Sequence, residues 1–208
     1  MPAATLRTWV LGRHYPTGEG SKRFEPLIDI ADRENRLLSF VNLAEAHVLS
    51  ACRRIHNIPL HKVRPALDFI ATTFQSKHPL IEKAFETDGV SLFIDHLGKL
   101  IDVSAQGQTM IRQCVEQHLR RLERKGSQVV RLYPFTRDAF DDSPKSVFID
   151  PRVSFGRPVL ATIRVPTSAI SMRYWAGETI EHLAADYDCG TLDVQEAIRC
   201  EGRPKAAA

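Results

Sequence analysis

Long apolar runs are missing from this chain. No stretch approaches the roughly 20 residues that a membrane-spanning helix requires, and the first residues lack the apolar segment of a secretory signal. Cysteine is scarce, with 4 in 208 residues. Cys52, Cys114, Cys189 and Cys200 include no Cys-x-x-Cys pair, so reduced thiols in a cytoplasmic protein are expected rather than a disulfide framework or a zinc site. Also absent are a Gly-rich phosphate loop, a Gly-x-Ser-x-Gly elbow, a His-Glu-x-x-His helix and a paired-carboxylate motif. Cys114 and His118 share a helix face, but they lie on or beside its apolar stripe and read as core. His47, His56 and His61 lie near one another without an Asp, Glu or Cys to complete a ligand set. No catalytic residue, metal site or cofactor is assigned, and a non-enzymatic protein is expected.

The length suits one large or two small domains with real cores. The net charge of +3 hides an uneven distribution. Residues 1–65 carry 10 Lys and Arg against 6 Asp and Glu, and residues 107–137 carry 7 against 2. Residues 66–106 carry 3 against 6, and residues 138–208 carry 8 against 11. A basic front and an acidic back suggest that a polyanion would meet the front.

At the front, Ala4 to Trp9 reads as the recognition helix of a helix-turn-helix. His14 to Phe24 follows as a turn-rich hairpin with basic residues on its returning arm, the order of a recognition helix and a wing. An ordinary surface loop is the competing reading of that hairpin. A recognition helix needs a partner helix packed across it, and that partner has no counterpart in this sequence. A central helix is predicted from Leu37 to Ile55, ending at Asn57-Ile58-Pro59. A second carries the stripe Val63, Ala66, Leu67, Ile70, Ala71 and Phe74, with Pro65 near its first turn.

A small α/β middle unit is expected over residues 81–137. Ser91 to Asp95 and Lys99 to Val103 flank His96-Leu97-Gly98 as a hairpin. Gln108 to Lys125 reads as an amphipathic helix stopped by Gly126, with Arg112, Arg120, Arg121, Arg124 and Lys125 on its outer face. Gln128 to Tyr133 is a possible third strand. Pro134 to Lys145 is the best linker. Beyond it come a strand over Ser146 to Asp150, an extended arm from Pro151 to Pro166, and helices over Thr167–Ala176, Thr179–Tyr187 and Thr191–Cys200. The last pair resembles a helix-turn-helix, but Asp193 and Glu196 on its second helix would repel phosphates. Protein contact or dimerisation fits it better, and a homodimer is expected.

Two stretches resemble one family. Ser146 to Pro151, then Phe155-Gly156-Arg157-Pro158-Val159 and Arg164-Val165-Pro166, are similar to the opening of the domain-of-unknown-function family 433. Gly177 to Ala184 with Tyr187, and Val194, Ala197, Ile198 and Arg199, match its later helices. Its long form carries a MerR-like winged-helix domain in front, which Leu38 to His47 and Val63 to Leu67 resemble. That resemblance implies the antitoxin of a type II toxin–antitoxin pair, similar to the VapB class. Such an antitoxin neutralises a PIN-like ribonuclease encoded alongside and binds its own operator DNA as an autorepressor. A protein-interaction module that binds the toxin but not DNA is the alternative.

The resulting fold is α+β and mostly helical. It comprises an incomplete MerR-like winged helix over 1–80, the middle unit over 81–137, and the family 433 domain over 146–201. Candidate DNA-binding residues are Thr5, Arg7, Thr8, Trp9, Arg13, Lys22 and Arg23. Arg157 and Arg164 are candidates for toxin binding, because a ribonuclease that gathers carboxylates around metal offers a target for cations. Bracing of the local fold is the equal alternative for both. One departure from the family concerns Thr162-Ile163, where Gly-Thr is usual, so a turn that needs glycine there is expected to be altered.

Overall fold

The computed structural model describes residues 3–18, 20–56, 58, 60–100, 104–137 and 143–202. Two compact units divide the chain at Arg120 and Arg121, inside the stretch read from sequence as a middle unit. Both mix helices with short antiparallel ladders, which is the α+β, mainly helical class expected.

In the first unit, α1 (Ala3–Leu11) buries Trp9 and Val10. Gly12 ends it at φ +73 with its amide donating to the Thr8 carbonyl at 3.0 Å, the left-handed stop that glycine accepts without a Cβ clash. The chain then forms β1 (Arg13–Thr17) and β2 (Gly20–Phe24), paired from Arg13↔Phe24 to Thr17↔Gly20.

The start of α2 (Phe40–His56) is fixed by a reciprocal cap. The Asn42 amide donates to Ser39 Oγ at 3.1 Å, while Asn42 Oδ1 accepts from the Ser39 amide at 3.0 Å and from the Ala31 amide at 3.1 Å. Asn42 Nδ2 donates to the Asp29 carbonyl at 2.7 Å, so a buried side chain ties the preceding loop to the helix. The predicted stripe of α3 (Leu60–Phe74) is realised, with Val63, Ala66, Leu67 and Ile70 buried and Pro65 inside the helix. Asn57, Pro59 and the side chains of Cys52, Ile55 and His56 lie outside the described residues.

Ser91 to Leu100 is helical where a hairpin was predicted, forming α4 (Val90–Leu100). Val90, Phe93, Ile94 and Leu97 are buried at helical i, i+3, i+4 and i+7 spacing. Gly98 is not a turn: a Cβ there would come within 2.8 Å of Gln108 Nε2 on α5 (Ala105–Leu119), so glycine permits close helix approach. Residues 101–103 of the expected second strand lie outside the described residues. The Ser104 side chain caps α5 by accepting from the Gly107 amide at 3.2 Å. Cys114 and His118 are core residues of α5, with His118 Nδ1 2.8 Å from the Cys114 carbonyl and its ring 4.8 Å from that of His47.

The second unit opens where α5 was predicted to continue. Leu122 to Lys125 is β3, paired with β4 (Gln128–Leu132), and Gly126 occupies their turn at φ +65 rather than stopping a helix. Arg121 is therefore not on an outer helix face. It is 5% exposed and donates to the carbonyls of Ser143 and, at 3.1 Å, Pro144, with its guanidinium 4.4 Å from the Phe135 ring centroid. Both ends of the expected linker thus pack within this unit, while residues 138–142 lie outside the described residues.

Ile149 bridges to Leu132 through hydrogen bonds of 3.0 and 2.8 Å, and β5 (Val147–Phe148) pairs with β6 (Val159–Leu160). The predicted helices form α6 (Thr167–Trp175), α7 (Ile180–Asp186) and α8 (Thr191–Glu201). Their core joins Val147, Leu160, Ile170, Leu183, Val194 and Ala197. The Thr179 side chain caps α7, accepting from the His182 amide at 3.2 Å.

Candidate nucleic-acid interface

Helical geometry sorts the N-terminal candidates. Trp9 is 0% exposed, and its carbonyl accepts the amides of Leu27 at 2.7 Å and Ile28 at 3.2 Å. This is a correction: Trp9 anchors α1 to the core and is unavailable for contact. Arg7 is exposed, and Thr8 is half-buried with its hydroxyl donating to the Ala4 carbonyl at 3.1 Å. Thr5 is also half-buried and falls on the Trp9 side of the helix.

The hairpin is fixed at its base. A Cβ on Gly12 would lie 2.3 Å from the Phe24 carbonyl oxygen. Arg64 of α3 donates to the Glu25 carbonyl and, at 3.1 Å, to that of Pro26, with its guanidinium 5.1 Å from the Phe24 ring centroid. Strand alternation then assigns faces. Arg13, Tyr15, Lys22 and Phe24 share one face, while His14 and Arg23 share the other. Lys22 and Arg23, neighbours in sequence, therefore point apart. Arg23 also lies 3.4 Å from Glu25 in an exposed ion pair. By contrast, Arg7, Arg13 and Lys22 are exposed and make no side-chain hydrogen bond or ion pair among the described residues.

In the second unit, Arg157 and Arg164 are exposed and likewise make no side-chain hydrogen bond or ion pair among the described residues. The turn carrying Arg164 is closed by the amide of Arg164 on Leu160 at 2.8 Å and of Leu160 on Val165 at 3.0 Å. Its left-handed residue is Arg164 itself, φ 56, so Thr162 has no need to be glycine. The other arginines are engaged. Arg173 binds Glu178 at 2.5 Å and also Asp186, which hold its proton even more firmly than usual.

Glu196 corrects the reading of α8 as a helix offering carboxylates. It is 0% exposed, held by Arg137 at 2.6 Å, Arg199 at 2.5 Å and the Thr136 hydroxyl. Burial pushes its carboxyl up, but the hydrogen bonds from Thr136 and Arg137 outweigh this and keep it below the usual range.

Sequence reasoning missed Glu45. This buried carboxyl of α2 lies 2.8 Å from His78 Nδ1, and burial raises it to about 7 against the pull of His78. Its signal was one acid among the apolar residues Ala44, Ala46, Val48 and Leu49 of that helix. Among the described residues, no group of three His, Cys, Asp or Glu could hold a metal ion. No helix there is long and apolar enough to cross a membrane.

The helix, hairpin and helix pair agree with the family comparison. Residues 1–67 match the family described as "Putative DNA-binding HTH domain", and residues 147–199 match "Protein of unknown function (DUF433)". The front of the chain is thus similar to a helix-turn-helix family and its back to family 433, the two resemblances that its motifs implied. Over 95% of its length it is 26% identical to "Putative antitoxin VapB45" of Mycobacterium tuberculosis, covering 87% of that protein. It is 22% identical to "Uncharacterized protein Rv2308" of the same organism, over 95% of this chain and 83% of that one. The crystal structure of Rv2018 from Mycobacterium tuberculosis shares the fold, with a TM-score of 0.62 at 23% identity, covering 95% of this chain and 91% of that one.

Proposed function

We propose that this chain is the antitoxin of a type II toxin–antitoxin pair, binding its operator through the first unit and a PIN-like ribonuclease through the second. The observation that carries the DNA half is the set of exposed, unneutralised cations Arg7, Arg13 and Lys22 on a helix and the hairpin that follows it. Phosphates supply most of the affinity in such contacts, and cations already paired within the protein contribute less. Arg7 and Thr8 present from α1, Arg13 and Lys22 from one face of the hairpin, while Thr5 and Arg23 are secondary. The similarity to a protein named as an antitoxin supports the toxin-binding half. No step of bond chemistry is involved; one end represses by occupying DNA and the other inhibits by occupying its partner.

A gel-shift with the chain's own promoter and co-expression with the adjoining toxin gene test the two halves. Retarded promoter DNA and protected cells are expected. Protection without any shift would leave a toxin-binding module and remove the repressor role.

A further inference from the structure

Phe155 is 99% exposed, the most exposed large apolar side chain among the described residues. It stands in a loop where Ser154 (φ 48), Phe155 (φ 57) and Gly156 (φ 75) are successively left-handed. Glycine takes this conformation freely, whereas a serine and a phenylalanine are strained in it. A loop needed only to reverse the chain would favour Gly or Asn at both positions.

The strain is held in place by design of the neighbours. The buried Asp150 carboxylate accepts the Arg152 amide at 3.0 Å, its Nε at 3.0 Å and a terminal nitrogen at 2.8 Å. The Asp150 carbonyl accepts the Val153 amide at 2.9 Å, Val153 accepts Gly156 at 3.0 Å, and Ser154 accepts Arg157 at 3.1 Å. The result is a hydrogen-bonded platform presenting a bare phenyl ring. Strained, over-determined backbone of this kind concentrates where it serves recognition, and an anchor fixed before binding loses little entropy on docking.

The charges nearby indicate the partner. Arg152 is spent on Asp150, but Arg157, two residues past the ring, has no partner among the described residues. The second unit, residues 121–208, carries 13 basic against 12 acidic side chains, too near neutrality to favour a polyanion such as RNA. We propose that Phe155 is the anchor of a protein–protein contact, seated in an apolar pocket of the toxin whose rim carboxylates meet Arg157. This rests on the reading that the second unit binds the toxin.

The test is calorimetric titration of the full chain with the purified protein of the adjoining toxin gene. F155A should weaken binding at least about 30-fold, the scale of an interface hot spot, and F155L should restore most of it. The ring is solvent-exposed, so F155A should keep the far-UV spectrum of the parent. F155N should melt at a higher temperature than the parent, because Asn tolerates the left-handed region, while binding as poorly as F155A. Gain of stability with loss of binding is the signature of an anchor, which a structural role does not produce. Equal affinity of F155A and the parent would overturn the anchor and leave toxin binding standing. Absence of binding by the parent would overturn both. A dimer of this chain broken by F155A, with toxin binding intact, would place the ring in a self-contact and refute the assignment.

Discussion

The position a Cβ on Gly12 would occupy lies 2.3 Å from the carbonyl oxygen of Phe24, and Gly12 is left-handed at φ +73. One residue therefore both ends the α1 helix and admits the returning strand against it. Replacing Gly12 with Ala adds a backbone clash to a conformational penalty, so a loss of about 2 kcal/mol or more is expected. The measurement is chemical denaturation of the full chain. Promoter affinity should fall with it, since the helix and hairpin would no longer hold their relation.

Glu45 makes stability depend on pH. Its folded carboxyl is raised from 4.5 to about 7, so the folded chain binds more proton than the unfolded one. The contribution is complete below about pH 4.5 and is lost as the pH rises through about 7. His78 faces it directly, with Asp29 adding a further nearby charge. E45Q should be favoured over the parent on going from pH 5 to pH 8, by on the order of 2 kcal/mol. Thermal melts of both proteins across that range would show it as a flatter profile for E45Q.

In the second unit, Glu196 joins two arginines and a threonine at zero exposure. Removing one partner of a buried ion pair leaves uncompensated charge, so E196A should cost about 3 kcal/mol. Arg137 and Arg199 are partly exposed and would recover some hydration, which places the cost at the lower end. Urea unfolding followed at the C-terminal helices measures it.

On the proposed function, Arg157 and Arg164 separate the toxin contact from the fold. Having no side-chain partners among the described residues, a double Arg157→Ala, Arg164→Ala variant should fold with parental stability. It should fail to protect cells that express the adjoining toxin. Full protection by the folded variant would exclude both arginines from the contact.

The sequence was most legible where turn chemistry and periodicity agreed. The α1 helix with its hairpin, the α3 stripe, and the three C-terminal helices are read from glycines, caps and apolar spacing that local physics enforces. The middle was misread because tertiary packing assigned its glycines. Gly98 looks like a turn between two short apolar runs, yet it clears space for Gln108. The periodic Leu119 and Leu122 look like one helix face, yet the helix stops between them and Leu122 begins β3. Within the interface, Trp9 is indistinguishable from a contact residue in sequence, because only the loop at Leu27 and Ile28 reveals which side of α1 is covered. The opposed directions of Lys22 and Arg23 follow from the pairing register, which the chain's composition does not contain.

The most direct test of the account is fluorescence anisotropy of labelled promoter DNA with the full chain across a salt titration. Affinity should fall linearly on logarithmic axes, and R7A, R13A and K22A should each weaken binding and flatten the slope by about one. R23A, on the opposite face and paired with Glu25, should change it less. An R7A, R13A, K22A triple variant that binds with parental affinity and slope would contradict the assignment of this helix and hairpin to DNA.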